Sequence, residues 1–318
     1  MIEKIRKEPK IPAPSQSVMK VLELTKQKDC DVKKVASVIS RDGGLTAQLL
    51  RQANSALYGY NSATSSVVTA CTRLGMSRVR SAVVNQHVVN GLAGARPPGF
   101  DAFRYWQAAL ATSVAGHDLC QRFLPNDAEE AGTAGLLCDI GVGLLAFGVP
   151  ETYARVISEV ARPTAWNFAA TEARLLGVTH TEVGAAVLTD WKLDQRIIDA
   201  VRSDHTDPLS PAKEKLTKFA QIVAAGVTLS RIALEGSDMD SVATLFAQME
   251  PLTAKPEEVV SSLLDALVTH MQKTAKSLSV ELGSLDQMQA NFGNLGRSMP
   301  DVSKSMSFRP MARAAFQS

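Results

Sequence analysis

The apolar segment AGLLCDIGVGLLA carries a thiol and a carboxylate side by side, at Cys138 and Asp139. Both groups can ligate metal ions, because a carboxylate suits hard divalent cations and a deprotonated thiol suits softer ones such as Zn²⁺. The structural alternative is a small core residue beside a buried, hydrogen-bonded carboxylate. The pair is therefore the candidate chemical centre of this chain.

Other catalytic signatures are absent from the sequence, which contains no GxxxxGK, GxSxG, GxGxxG, GGDEF or EAL motif. The N-terminal stretch lacks the apolar core of a signal peptide, and no uninterrupted apolar run approaches the ~20 residues of a membrane span. The cysteines are widely spaced, without a CxxC pair: Cys30, Cys71, Cys120 and Cys138. These features favour a reduced, cytoplasmic protein with no membrane partner.

Apolar residues recur at spacings of three and four through most of the chain, which is the period of amphipathic helices. Ser15, Asp31 and Asp42 precede three of these stretches as candidate N-caps, and Gly75 is placed to end a fourth. One helix is predicted over residues 128–147. Because no stretch alternates with the period of two typical of strands, the sequence predicts an all-α protein.

The sequence Arg96-Pro97-Pro98-Gly99 interrupts the helical pattern and is the predicted boundary between two helical bundles. The first lobe spans residues 1–95, and the second lobe with its C-terminal helices spans residues 100–282. Residues 285–318 lack periodicity and are rich in Ser, Gly and Met. This tail is predicted to be disordered.

The charges are unevenly distributed between the lobes, although the whole chain carries a net charge of only +2. Residues 1–95 hold 14 basic and 6 acidic side chains, whereas residues 96–284 hold 16 basic and 24 acidic ones. This asymmetry predicts complementary docking or an anionic partner, with ordinary solvated surface as the alternative. Arg73, Arg78 and Arg80 cluster closely, but the lysines of the first lobe are dispersed over several helices, so we expect protein or intramolecular contacts rather than DNA readout.

Residues 11–92 resemble the N-terminal half of the HDOD family, the HD-related output domain of bacterial signalling proteins. The matching segments are IPAPSQSVMKVLEL, VASVISRDGGLTAQLLRQANSALYG and SSVVTACTRLGMSRVRSAVV. The resemblance continues through AGLLCDIG and LLGVTHTEVGAAVLTDWKL to about residue 210, and it implies that the second bundle has an HD-like fold. Residues at the family spacing, expected to serve the scaffold, are Arg41, Asp42, Asn54, Ser55, Tyr58 and Gly59.

The resemblance also implies a comparison with the HD phosphohydrolases. Their site uses a His on one helix, a His-Asp pair on the next and a later Asp, and the bound metal activates water. In this sequence the first His position is Ala108, and the His of the pair is Cys138. The closing Asp would fall near Ala224 or Ala225, where no carboxylate occurs.

Three residues at the ligand positions of the resemblance are kept: Asp139, His180 and His205. Together with Cys138 they could form a tetrahedral zinc set. Because the other ligands are lost, we expect no maintained metal and no cofactor. The four residues are then a vestigial cleft, which could bind a small anion or a nucleotide.

The resemblance thus predicts a non-catalytic bacterial signalling or regulatory protein that acts through protein partners. Two alternatives stay open. A divergent metal-dependent phosphohydrolase would contain stoichiometric metal. A DNA-binding regulator acting through the basic first lobe would bind with an affinity that falls steeply with salt, although nucleic acid is not the expected partner.

Overall fold

The computed structural model describes residues 1–8, 11, 13–27, 29–55, 62–92, 99–160, 169–203, 217–237 and 239–295. These residues form helices and no strand, which confirms the predicted all-α class. The first lobe contains α1 (Ile2–Arg6), α2 (Gln16–Thr25), α3 (Val32–Ser40), α4 (Gly43–Ala53) and α5 (Val67–Gly91). The second lobe begins with α6 (Ala102–Phe123), α7 (Ala128–Leu137), α8 (Ile140–Gly148), α9 (Pro150–Glu159) and α10 (Ala169–Leu176). It continues with α11 (His180–Asp190), α12 (Gln195–Arg202), α13 (Lys218–Glu235), α14 (Met239–Met249), α15 (Pro256–Leu278) and α16 (residues 286–295).

Local sequence signals set the ends of the first-lobe helices. Ser15, Asp31 and Asp42 each accept a hydrogen bond from a backbone N–H of the helix that follows, as their N-cap positions predict. Gly75 interrupts α5 with a φ of 78° and a ψ of 160°, a conformation that glycine adopts without steric cost. The predicted helix end at Gly75 is therefore confirmed as a sharp break within α5.

The single helix predicted over residues 128–147 is wrong, because α7 ends at Leu137 and α8 begins at Ile140, with Cys138 and Asp139 in the turn between them. α7 packs against α6 while α8 packs against α11, so the chain has to turn between them. The sequence is equally apolar on both sides of the turn, so the pattern of apolar residues does not reveal the break between the two helices. The stretch Pro125–Gly148 is long and apolar enough to cross a membrane, but 89% of its most apolar window is buried inside the protein. Packing in the core accounts for that apolar character.

One hydrophobic core runs through both lobes, from Ile5 to Leu295. In α16, Met288, Phe292 and Leu295 are buried. The prediction of a disordered tail is therefore wrong for residues 286–295, where apolar side chains reach the core. Residues 296–318 and the Pro97–Pro98 boundary lie outside the described residues.

The two lobes meet where α5 packs against α7. Nε of Arg78 lies 2.7 Å from Oε1 of Glu129, and Arg80 forms an ion pair with the buried Glu130. Basic side chains of the first lobe are thus neutralised by acidic side chains of the second. These two ion pairs fit complementary docking, one of the alternatives that the charge distribution left open.

Candidate functional site

The start of α11 brings His180 beside Asp139, 41 positions away in sequence. Thr179 caps α11 in a capping box with Glu182, whose carboxylate accepts a hydrogen bond from the Thr179 N–H at 2.8 Å. A Cβ atom on Gly141 would lie 1.9 Å from the carbonyl oxygen of His180, so only glycine permits this approach of α8 to α11. As a result, Nε2 of His180 lies 3.7 Å from Oδ1 of Asp139.

A third member of the site, Glu172 of α10, was not predicted from the sequence. Its Oε2 atom accepts hydrogen bonds from the backbone N–H and from Nδ1 of His180, each at 2.7 Å. Its Oε1 atom accepts a hydrogen bond from the Tyr153 hydroxyl at 2.7 Å. The side chains of Glu172 and His180 are both fully buried. The sequence does contain one signal for Glu172. It lies four residues before Leu176 and therefore on the same face of α10, where a charged residue interrupts the apolar face.

Glu172 is ionised in spite of its burial. Burial by itself raises the pKa of Glu172, but the charge of His180 and the hydrogen bonds from His180 and Tyr153 hold the pKa below its ordinary value. An ionised carboxylate only accepts hydrogen bonds, so Nδ1 of His180 is a donor. Two carboxylates, Glu172 and Asp139, therefore face one imidazole.

Cys138 contributes a thiol rather than a thiolate. Burial, and after it the negative charge of Asp139, raises the pKa of the Cys138 thiol well above its ordinary value. The thiolate is the metal-binding form, so this side chain is a poor ligand. The positions of the lost ligands are filled by core packing: Ala108 and Ala224 are buried, and the Ser230 hydroxyl donates to the Ala108 carbonyl at 3.1 Å.

The described residues do not fit the divalent metal that the phosphohydrolase pattern implies. Nδ1 of His180 already donates to Glu172, and both carboxylate oxygens of Glu172 already accept hydrogen bonds. Asp139 and His180 could supply at most two ligands, which is fewer than the three or four protein ligands of a zinc site. Within the described ranges, no group of three or more His, Cys, Asp and Glu side chains is arranged to hold a metal. His205 lies outside those ranges.

Two of the family-spaced residues of the first lobe, Asp42 and Asn54, make local hydrogen bonds. Asp42 caps α4, and Arg41 ends α3 with an exposed side chain. The Asn54 side chain contacts Thr64 twice: it donates to the Thr64 carbonyl at 2.9 Å and accepts from the Thr64 N–H at 2.8 Å. Ser55 follows it at the end of α4. Tyr58 and Gly59 lie outside the described residues.

A chain of ionisable side chains connects the lobe junction to α15. Glu129, the partner of Arg78, lies 3.5 Å from Nε2 of His117, whose Nδ1 atom lies 3.0 Å from Asp118. Asp118 also contacts Nδ1 of His270 at 2.8 Å. Burial by itself lowers the pKa of His117, but hydrogen bonds to Asp118 and Glu129 raise the pKa to about 9. His117 is therefore protonated at neutral pH.

The two helical lobes, with Asp139 at a helix junction beside His180, define a protein of the HD-related helical class. A model of the HDOD domain family matches residues 11–207, which is more than half of the chain. The chain therefore belongs to the HDOD family, and the resemblance seen in the sequence is confirmed. The match ends before α13, although α13 contributes buried residues to the shared core.

The chain is also similar to individual proteins. A Treponema pallidum (strain Nichols) protein named as uncharacterized is 23% identical over 211 residues, which cover 65% of this chain and 39% of the relative. The crystal structure of an HDOD domain protein of unknown function from Geobacter sulfurreducens has a TM-score of 0.68 and 22% identity, covering 87% of this chain and 97% of its own. A candidate phosphohydrolase from Shewanella amazonensis SB2B has a TM-score of 0.66 and 24% identity, covering 86% and 97%. At these identities the solved structures support the fold alone.

Proposed function

We propose that this protein is a non-catalytic bacterial signalling or regulatory protein that acts through protein contacts. Membership of the HDOD family supports the signalling role, because the family is the HD-related output domain of bacterial signalling proteins. One observation carries the non-catalytic part of the proposal. The His that would pair with Asp139 in the HD pattern is replaced by Cys138, a buried thiol whose pKa burial raises well above its ordinary value.

The chemistry of hydrolysis supports the same proposal. Hydrolysis by an HD-type enzyme requires a metal that lowers the pKa of a bound water and polarises the phosphoryl oxygen. The residues around Asp139 offer a protonated thiol at Cys138 and an alanine at position 108 in place of two ligands. Neither side chain can replace the missing imidazoles.

Elemental analysis combined with a phosphodiesterase assay tests this proposal. Protein purified without chelator is expected to contain well under one equivalent of Zn, Fe or Mn per chain. With bis(4-nitrophenyl) phosphate and added Mg²⁺, Mn²⁺ or Zn²⁺, its rate is expected to equal that of Asp139→Ala. A full equivalent of metal that is lost in His180→Ala, together with a rate lost in Asp139→Ala, would establish the enzyme instead.

The proposal that this protein acts by binding a protein partner needs a separate measurement. The full chain, tethered through its N-terminus, is expected to capture the same partner repeatedly from native lysate of its source bacterium at physiological ionic strength. The purified partner should then bind the purified chain in a titration. Failure to bind in that two-component titration would contradict the proposal.

The phosphohydrolase alternative rests on the 3.7 Å approach of Nε2 of His180 to Asp139 and on the fold shared with the Shewanella protein that carries a phosphohydrolase name. The metal and rate measurements above decide between that alternative and the leading proposal.

The DNA-binding alternative is weakened because Arg78 and Arg80 pair with glutamates of the second lobe. A mobility-shift titration at two salt concentrations tests it, with Arg78→Glu and Arg80→Glu for comparison.

A further inference from the structure

The short helix α1 belongs to the first lobe in sequence but packs on the second. Its neighbours are α8 and α11. Residues 1–10 precede the part of the chain that the HDOD family model matches, whereas α8 and α11 lie within that part. The last residues of these two helices, Gly148 and Asp190, both lie against α1 and form a surface that we call the α1 seat. The family domain thus provides a seat that a segment outside the match occupies.

Ile5 is the apolar anchor of α1, and it is fully buried. It lies over the end of α8, because a Cβ atom on Gly148 would be 2.7 Å from Cδ1 of Ile5. Ile11 approaches the same point, with its Cδ1 atom 3.1 Å from that Cβ position. Since glycine has no side chain, the end of α8 leaves room for a branched aliphatic side chain of another segment.

A charged contact orients α1 on its seat. The guanidinium of Arg6 donates two hydrogen bonds to the Asp190 carboxylate, from Nε at 2.7 Å and from Nη2 at 3.0 Å. A bidentate pair of this kind fixes the direction of approach as well as the position. Both side chains are partly exposed, so the pair contributes more to specificity than to affinity. The α1 seat therefore selects a helix that carries an aliphatic residue and an adjacent arginine.

The helix α1 has little stability of its own. It is five residues long, whereas an isolated helix in water is marginal even at ~12–15 residues. Its folded state therefore depends on the contacts of Ile5 and Arg6 with the seat. We expect α1 to open locally at a lower free energy than α6 and α13, which pack against each other in the core. Opening uncovers Gly148 and the Asp190 carboxylate together.

We propose that the α1 seat docks a short amphipathic helix of a partner protein, and that α1 occupies the seat until such a helix displaces it. The partner helix carries an isoleucine or leucine that packs over Gly148 and an adjacent arginine that pairs with Asp190. This inference rests on the proposed function, because it gives the protein-contact role a surface and a chemical class of partner. The tether to α1 gives this helix a high effective concentration, which keeps weak competitors off the seat.

A synthetic peptide of residues 1–11 tests the seat, with the full chain carrying Ile5→Ser as the receptor. In that variant the tethered α1 lacks its apolar anchor, while the seat is unchanged. The peptide is expected to bind saturably and to shift the backbone amide resonances of Gly148 and Asp190. The same peptide carrying Ile5→Ser should bind at least about tenfold more weakly, because the buried aliphatic side chain is lost. The parent chain should also bind the peptide at least about tenfold more weakly, because its own α1 competes.

Equal binding of the two peptides, or no saturable binding to the Ile5→Ser chain, would overturn the docking site. Equal binding by the parent and Ile5→Ser chains would overturn the displacement of α1. Unfolding in urea first establishes that the Ile5→Ser chain is folded, and a chain carrying Arg6→Glu is the receptor if it is not. These titrations use no partner from lysate, so their failure is distinguishable from a failure of the proposed function.

A charge exchange tests the contact with Asp190. Asp190→Arg, added to the Ile5→Ser chain, is expected to weaken binding of the peptide at least about fivefold, and Arg6→Glu in the peptide should recover part of that loss. Asp265→Arg is the matched control, since Asp265 is exposed on α15, which packs on α6. We expect this control to leave binding unchanged. An equal loss in Asp190→Arg and Asp265→Arg, or no loss in either, would contradict the assignment of Asp190 to the site.

Discussion

Nδ1 of His180 lies 2.7 Å from Oε2 of Glu172, and both side chains are fully excluded from solvent. The contact joins α10 to the first turn of α11, and the Tyr153 hydroxyl completes it from α9. A buried carboxylate is stable only when it is paired and hydrogen-bonded, and here three donors meet that requirement. The imidazole that the family pattern would use as a ligand therefore stabilises the packing of three helices.

Replacing Glu172 with Gln should destabilise the fold by about 3 kcal/mol, because the substitution removes the charged acceptor of the buried hydrogen bonds from His180 and Tyr153. The free energy of unfolding in urea measures the effect. Glu151→Gln is the control, since Glu151 is exposed in the first turn of α9 and should change the value by less than about 0.5 kcal/mol. Equal values for the two variants would show that the Glu172 contact contributes nothing.

Gly141→Ala should destabilise the protein by at least about 1–3 kcal/mol, because the added Cβ atom meets the His180 carbonyl group, part of a rigid backbone. Gly293→Ala is the matched control: it lies in α16, and an added Cβ there meets nothing within 4 Å. We expect that control to be neutral or slightly stabilising, since alanine has the higher helix propensity. Thermal unfolding of both variants checks the prediction, and a Gly141→Ala protein as stable as the parent would refute the close approach.

The stability of the protein should depend on pH through His117. Its pKa is raised to about 9 in the folded protein, so its contribution is fully present below the unfolded value of about 6.5 and is lost as the pH rises through about 9. We expect the difference in unfolding free energy between the parent and His117→Gln to be largest near pH 6 and smallest near pH 10. Titrating groups that are remote from His117 cancel in that difference. A difference that stays constant over this range would exclude a stabilising imidazolium.

A double-mutant cycle on Arg80 and Glu130 should give a coupling energy of about 2 kcal/mol, because Glu130 is almost fully buried at the lobe junction. The same cycle on Lys255 and Glu258 is the control. That pair is solvent-exposed on α15 and should give no more than about 0.5 kcal/mol. Similar coupling energies for the two pairs would mean that the lobes do not depend on the Arg80 contact.

The class of fold and the ends of several helices follow from the sequence. The N-caps at Ser15, Asp31 and Asp42 depend on a side chain and a backbone group two or three positions later. The break at Gly75 depends on the backbone freedom of one residue. Such short-range signals depend on residues that are neighbours in the sequence, so they can be predicted from it. The spaced motifs of the HDOD family can be recognised in the sequence in the same way.

The composition of the site was decided by the tertiary structure. Glu172 and His180 meet only because α10 and α11 fold back on each other, and Asp139 joins them only because Gly141 lets α8 approach α11. The pairing of Arg78 with Glu129 likewise joins residues 51 positions apart. Helical periodicity shows which face of each helix is apolar but not which helix covers that face. Contacts between distant charged groups are therefore determined by the packing of the helices.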